Sequence, residues 1–246
     1  MNERSKIALI TGGARGIGRS IGLSLAERGW SIALCYRTST KEGEETAREI
    51  QELGGSAMAL QCDVSDPDAA EGLTRQVENE WGGIDVLINC AGPYHRINLL
   101  EETIEGWHSM FSNNLHPVFY LSRVIAPGMK ERGWGRIVNF SMAKADQQVA
   151  QPQLTAHYIA KAGVLILTRS LARLLAPHGI TVNAISPGFI DSGSAPQQEL
   201  EKMTKHIPAG YIGTTQDVVG VVNFLLTEEA RYVTGTNIQV SGGWGI

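Results

Sequence analysis

The 246-residue sequence predicts one α/β domain built on a doubly wound parallel sheet of about seven strands, with helices on both faces. Three observations carry this. Short apolar runs rich in β-branched residues alternate with helical segments along the whole length. The runs are apolar at nearly every position, as in strands covered on both sides. Polar or glycine clusters also recur at their carboxyl ends: the first glycine turn, Asp63, Asn89 to Gly92, Ser141 and Pro187-Gly188. Right-handed crossovers gather such ends along one edge of a sheet, where ligands bind at the point where strand order reverses.

The first strand is Ile7 to Ile10, and TGGARGIG follows at Thr11 to Gly18. Its glycines at 12, 13, 16 and 18 let the backbone turn sharply and approach a ligand closely. The next segment, Ile17 to Arg28, places Ile17, Ile21 and Leu25 at helical spacing. A helix starting at such a turn offers free N–H groups and its positive dipole end to an anion, typically a phosphate pair. A second strand spans Ser31 to Arg37, and a charged helix runs from Lys41 to Leu53, ended by Gly54-Gly55. Ser56 to Val64 is the third strand, and the helix after it is opened by Ser65-Asp66-Pro67 and closed near Gly82-Gly83. The fourth strand is Val86 to Asn89, followed by helices at Glu102 to Gly106 and Trp107 to Met129. A fifth strand at Arg136 to Ser141 precedes a long helix from Leu154 to Ala176. The sixth strand is Thr181 to Ile185, and Pro187 to Gly213 reads as irregular. A helix at Gln216 to Leu226 and a last strand at Asn237 to Val240 finish the chain. With no repeat, low-complexity tract or linker, residues 1–246 read as a single domain.

A net charge of −4 without any Lys/Arg block argues against nucleic acid or an anionic membrane as partner. No apolar run approaches a membrane span, and the start MNERSK has no signal-peptide core, so a cytoplasmic location is expected. Cys35, Cys62 and Cys90 lie far apart without metal-ligand spacing, and two of them fall in predicted strands. They read as buried free thiols in a reducing compartment, and no metal is expected.

The motifs together resemble the short-chain dehydrogenase/reductase family, and within it the bacterial 3-oxoacyl-ACP reductases. The matching pieces are TGGARGIG, Cys62-Asp63-Val64, Asn89-Cys90-Ala91-Gly92, Asn114-Leu115, GRIVNFS at 135–141, Lys161-Ala162-Gly163-Val164, Pro187-Gly188, Val233-Thr234-Gly235 and Ser241-Gly242-Gly243. The resemblance implies a Rossmann-type sheet and a dinucleotide cofactor. Its pyrophosphate would lie on Gly12, Arg15, Gly16, Ile17 and Gly18. Asp63 and Val64 would recognise the adenine, and Asn89, Ala91 and Gly92 would line the groove. Lys161, Pro187, Gly188, Ile190 and Ser192 would complete the nicotinamide end, with Ser192 where the family often has a threonine. For the adenosine ribose, NAD calls for an acidic residue after the second strand, whereas a 2′-phosphate needs cations. That slot holds Tyr36, followed by Arg37, Thr38 and Ser39, with Arg15 nearby in the turn, so NADP(H) is favoured over NAD(H).

At the reactive end the sequence departs from the family pattern. The family uses a tyrosine as proton donor, a lysine four residues later, an orienting serine and a supporting asparagine. Lys161 and Asn114 match. Four residues before Lys161 stands His157, with Tyr158 one place closer, and both share a helix face with the lysine. Aligning GRIVNFS puts Met142 at the serine position, with Ser141 one place early. A positioned general acid is worth roughly 10²–10⁴ in rate, and a lost oxyanion donor costs about 3 kcal/mol. Three readings follow. In the first, Tyr158 or His157, with Ser141, performs the acid work of an NADP(H)-dependent oxidoreductase. In the second, the substrate bond is C=C or C=N. In the third, the chain is a cofactor-binding pseudoenzyme or the silent subunit of a hetero-oligomer.

The substrate is a small molecule of unspecified identity. Residues 189–213, with Met203, Ile207 and Tyr211, resemble a substrate lid, and Tyr94, His95 and Arg96 are placed to reach the pocket mouth. The helix at Leu154 to Ala176 is apolar on more than one face, which points to a homo-oligomer, a dimer or tetramer.

Overall fold

The computed structural model describes residues 5–193 and 197–245. Its elements begin β1 (Ile7–Thr11), α1 (Gly16–Ala26), β2 (Ser31–Tyr36), α2 (Thr40–Glu52), β3 (Ser56–Gln61) and α3 (Pro67–Trp81). They continue β4 (Val86–Asn89), α4 (Ile104–Asn114), α5 (His116–Arg132), β5 (Gly135–Phe140) and α6 (Thr155–Leu175). After a single 3-10 turn come β6 (Ile180–Pro187), β7 (Ile190–Asp191), α7 (Gln197–Thr204), β8 (Gly213–Thr214), α8 (Thr215–Leu225) and β9 (Asn237–Val240). The main sheet has seven strands in the order β3-β2-β1-β4-β5-β6-β9, each pair parallel. Strand order reverses between β1 and β4, so the crevice predicted from sequence opens at their carboxyl ends.

Successive residues of each central strand feed opposite layers. Ile7, Leu9, Leu87, Ile137 and Val182 face one core, closed by α3 and α5 residues such as Val77, Leu121 and Ile125. Ala8, Ile10, Ile88 and Val138 face the other, closed by Ile21 and Leu25 of α1 and Val218 and Val222 of α8. Double-sided burial explains why these strands carry no polar alternation. The edge strand β3 is only partly buried.

Three expectations are corrected. The helical break falls at Leu115, not between Gly106 and Trp107. Thr103 Oγ1 accepts from Gly106 N at 2.9 Å, so this threonine starts α4 and Gly106 lies within its first turn. Pro117 in the first turn of α5 and the side chain of Asn114, whose Nδ2 donates to Met110 O at 3.0 Å and Pro93 O at 2.9 Å, mark the real interruption. The segment 187–213 is not wholly irregular: it holds α7 and a two-stranded β7–β8 pair too short to show periodicity. Its residues 194–196 lie outside the described residues. Finally, β3 ends at Gln61, so only Cys35 lies in a strand, and Cys62 and Cys90 are half-buried rather than buried.

A buried polar chain crosses the sheet beneath the crevice. Asn89 Nδ2 donates to Asn139 Oδ1 at 2.8 Å, and Asn139 Nδ2 donates to Thr168 Oγ1 of α6 at 2.9 Å. Replacing Asn139 by alanine strands two buried partners, so urea unfolding is expected to lose about 1–3 kcal/mol with an unchanged m-value. A loss within about 0.5 kcal/mol, typical of a surface change, would show the chain to be dispensable.

Candidate active site and cofactor groove

The crevice is a cavity of about 400 Å³. Its floor is the turn between β1 and α1, where close packing demands glycine. A Cβ on Gly18 would lie 2.3 Å from the Gly12 carbonyl oxygen, and Gly12, at φ +67°, lies against the Ala91 backbone. Gly13 N donates to Cys35 O at 3.1 Å, and Thr46 Oγ1 of α2 donates to Ala14 O at 3.1 Å. On the β4 side, Thr11 Oγ1 accepts from both Cys90 N and Ala91 N at 3.1 Å. Helix α1 begins with no side-chain cap and no acidic residue in its first turn. Its amino end therefore keeps its N–H groups and dipole for an anion.

At one end, Tyr36, Arg37, Thr38, Ser39, Asp63 and Val64 line the wall. The Tyr36 ring lies on Gly43 of α2, where any Cβ would come within 2.5 Å of it. Arg37 Nη1 donates to Asn113 Oδ1 at 2.8 Å and stands 3.9 Å from Asp63 Oδ2. Partial burial pushes the Asp63 carboxyl up, but the hydroxyl and N–H of Ser65, with Arg37, outweigh it and hold the group below its ordinary range.

At the other end, Lys161 and Asn114 meet beneath Gly92. A Cβ there would lie 2.6 Å from Asn114 Oδ1 and 2.8 Å from Lys161 Nζ. Lys161 Nζ donates to Phe140 O at 2.9 Å, and burial brings its ammonium down to about 8. Asn114 Oδ1 is buried without a protein partner. Ser141 Oγ donates to Lys161 O at 2.8 Å. Tyr158 Oη donates to Lys144 O at 2.5 Å and accepts from Val149 N at 3.2 Å. His157 is buried against the Tyr94 ring, centroids 5.9 Å apart, with its Nδ1 unpartnered. Burial first, then Lys161 and His95, brings its imidazolium down to about 3, with the Pro93 carbonyl working the other way.

A family model described as Enoyl-(Acyl carrier protein) reductase matches residues 12–245. The 3-oxoacyl-[acyl-carrier-protein] reductase of Staphylococcus aureus is 38% identical over 244 residues, covering 98% of both chains. That of Vibrio cholerae is 36% identical over 248 residues, covering 99% of this chain and 98% of its own.

The chain belongs to the short-chain dehydrogenase/reductase family.

Solved short-chain dehydrogenase/reductase structures share the fold throughout. Acetoin dehydrogenase from Salmonella typhimurium superposes with a TM-score of 0.90 at 28% identity, covering 98% of this chain and 96% of its own. A short-chain type dehydrogenase/reductase from Mycobacterium marinum gives 0.90 at 31%, covering 97% and 95%.

Of the residues expected in a short-chain dehydrogenase/reductase groove, the glycine turn with Arg15 and Ile17, the wall from Tyr36 to Ser39, Asp63, Val64, Ala91, Gly92 and Ser192 surround one cavity. Asn89, Lys161, Pro187, Gly188 and Ile190 do not line it. Asn89 belongs to the buried polar chain, and Gly188 lets the tail pass, since a Cβ there would meet Ser241 at 2.8 Å. Ala14, Pro93, Asn113, Cys35 and Cys62 also line the cavity beyond the sequence expectation, although Asn113 adjoins Asn114 and Cys62 adjoins Asp63. Within residues 189–213, Ile207 is buried under Gly242, whereas Tyr211 is exposed.

Because the Tyr158 hydroxyl is bonded to two backbone groups of the 144–149 loop, Tyr158→Phe is expected to destabilise that loop by about 1 kcal/mol. Its affinity for reduced nicotinamide cofactor should stay within about twofold of wild type, a difference of roughly 0.4 kcal/mol. A large affinity loss in a fluorescence titration would place the hydroxyl at the cofactor instead.

Proposed function

We propose that this protein is an NADP(H)-dependent oxidoreductase acting on a small substrate with a carbonyl, C=C or C=N bond. The carrying observation is the cavity at the sheet's switch point, floored by a turn that admits no Cβ at Gly18 and walled by Arg15 and Arg37. These residues fit a dinucleotide. The uncapped amino end of α1 suits the pyrophosphate, Asp63 and Val64 suit the adenine, and the two guanidiniums suit a ribose 2′-phosphate. Lys161 suits the nicotinamide ribose, and Ser192 the carboxamide. When bound, the dihydronicotinamide supplies the hydride.

The protein's own task at the reactive end is to supply a proton and exclude water. His157 is neutral across the working pH range and is a weak acid there. The hydroxyls of Ser141 and Tyr158 donate to backbone carbonyls. Proton supply falls to Lys161, whose ammonium is lowered to about 8, with Asn114 Oδ1 placed to hold a bridging water. Few donors face a developing oxyanion, which favours C=C or C=N over a simple ketone. The same commitment of both hydroxyls also supports a second reading, a cofactor-binding pseudoenzyme or silent subunit. Binding without turnover on a panel of ketones, enones and imines would select it.

We also assign a homo-oligomer, dimer or tetramer. Ile159, Ile166 and Leu174 form an exposed apolar row on α6 at spacings of two helical turns, and Phe119 of α5 is half-exposed. A monomer at micromolar concentration in light scattering would contradict this.

Arg37→Ala should weaken NADPH about tenfold while leaving NADH nearly unchanged, a difference of about 1.4 kcal/mol. Equal losses for both cofactors would remove Arg37 from 2′-phosphate recognition. In the reductive direction the protonated lysine is the competent form, so kcat/KM should be flat below pH 8 and fall as pH rises through about 8. No limb is expected near pH 6–7, because His157 titrates near 3. A limb there would make His157 the acid.

A further inference from the structure

We propose that Cys35 and Cys62 form an oxidisable dithiol in the wall of the cavity, and that joining them as a disulfide blocks dinucleotide binding. The proposal rests on reading this cavity as the dinucleotide site. In the register of β2 and β3, Cys35 lies opposite Leu60, and Cys62, one residue past the end of β3, packs with both against the same apolar core. Cys62 N donates to Tyr36 O at 2.8 Å, and the Cys35 thiol donates to Cys62 O at 3.7 Å. Both residues line the cavity, with Cys35 buried and Cys62 half-buried, so a small oxidant reaches Cys62 first. Interaction with Cys35 lowers the Cys62 thiol from its ordinary range, and interaction with Cys62, with burial, raises Cys35 well above it. That division suits an attacking and a resolving sulfur. Arg37 lines the same cavity.

The oxidant is hydrogen peroxide. The Cys62 thiolate attacks one peroxide oxygen, the O–O bond breaks, and the departing hydroxide takes a proton to become water. Sulfur is thereby oxidised to the sulfenic acid. The Cys35 sulfur then attacks Cys62, the S–S bond forms, and the sulfenic hydroxyl leaves as a second water carrying the Cys35 proton. The bond holds the two Cα atoms at about 4.4–6.8 Å. It therefore fixes the carboxyl ends of β2 and β3 to each other, and from these ends Tyr36, Arg37 and Asp63 enter the cavity.

The test treats the full chain with hydrogen peroxide, then measures NADPH affinity and maps disulfides by peptide mass spectrometry. Expected are a Cys35–Cys62 link, an affinity loss of at least about tenfold (1.4 kcal/mol) reversed by dithiothreitol, and slower linkage with NADPH present. Cys35→Ser and Cys62→Ser should each abolish the dithiothreitol-reversible loss, measured against the same variant untreated. Absence of the link, or a link that leaves affinity unchanged, overturns the proposal. If reduced wild-type protein binds no NADPH, the cofactor reading fails. The mapped link then still decides separately whether the pair is an oxidisable dithiol.

Discussion

The structure depends on one close backbone approach, that of Gly18 to the Gly12 carbonyl, which no side chain can share. It lets the chain leave β1 and enter α1 within a few residues, so the bare amino end of the helix faces the crevice. The elements around it are keyed to this turn. Leu34 of β2 packs on Gly13, Thr46 of α2 bonds Ala14, the Ala91 backbone lies on Gly12, and Ser192 meets Gly16. A cavity thus arises from packing between elements rather than from any single motif.

The reactive end follows a different logic. Burial there disfavours charge, bringing Lys161 down and leaving His157 neutral. Fewer charged groups mean weaker support for an oxyanion. One buried ammonium with a pKa near neutrality, however, is well matched to proton transfer. The orphaned Asn114 Oδ1 beside it marks where the protein alone leaves a polar group unsatisfied.

Much of the fold was legible because strands buried on both faces are written as unbroken apolar runs. Val86–Asn89 and Asn237–Val240 agree residue for residue with the sequence expectation. The glycine turn was equally legible, since steric exclusion acts locally. What escaped depends on partners distant in the chain. The break at Leu115 is marked by an Asn114 side chain reaching Pro93, and Asn89 turns from the groove to meet Asn139. The direction of Tyr158 is set by a loop in which Lys144 and Gln148 adopt positive φ, a conformation that their identities do not announce. Cysteines that the sequence reads as buried free thiols lie in the cavity wall because strand ends meet there, a juxtaposition invisible to spacing along the chain.

The most direct measurement is calorimetric titration of NADPH into the wild-type protein, with 2′-phospho-ADP-ribose as competitor. Saturable binding at one site per chain in the micromolar range is expected, lost as the competitor fills the same cavity. No saturable heat even at millimolar NADPH would contradict it.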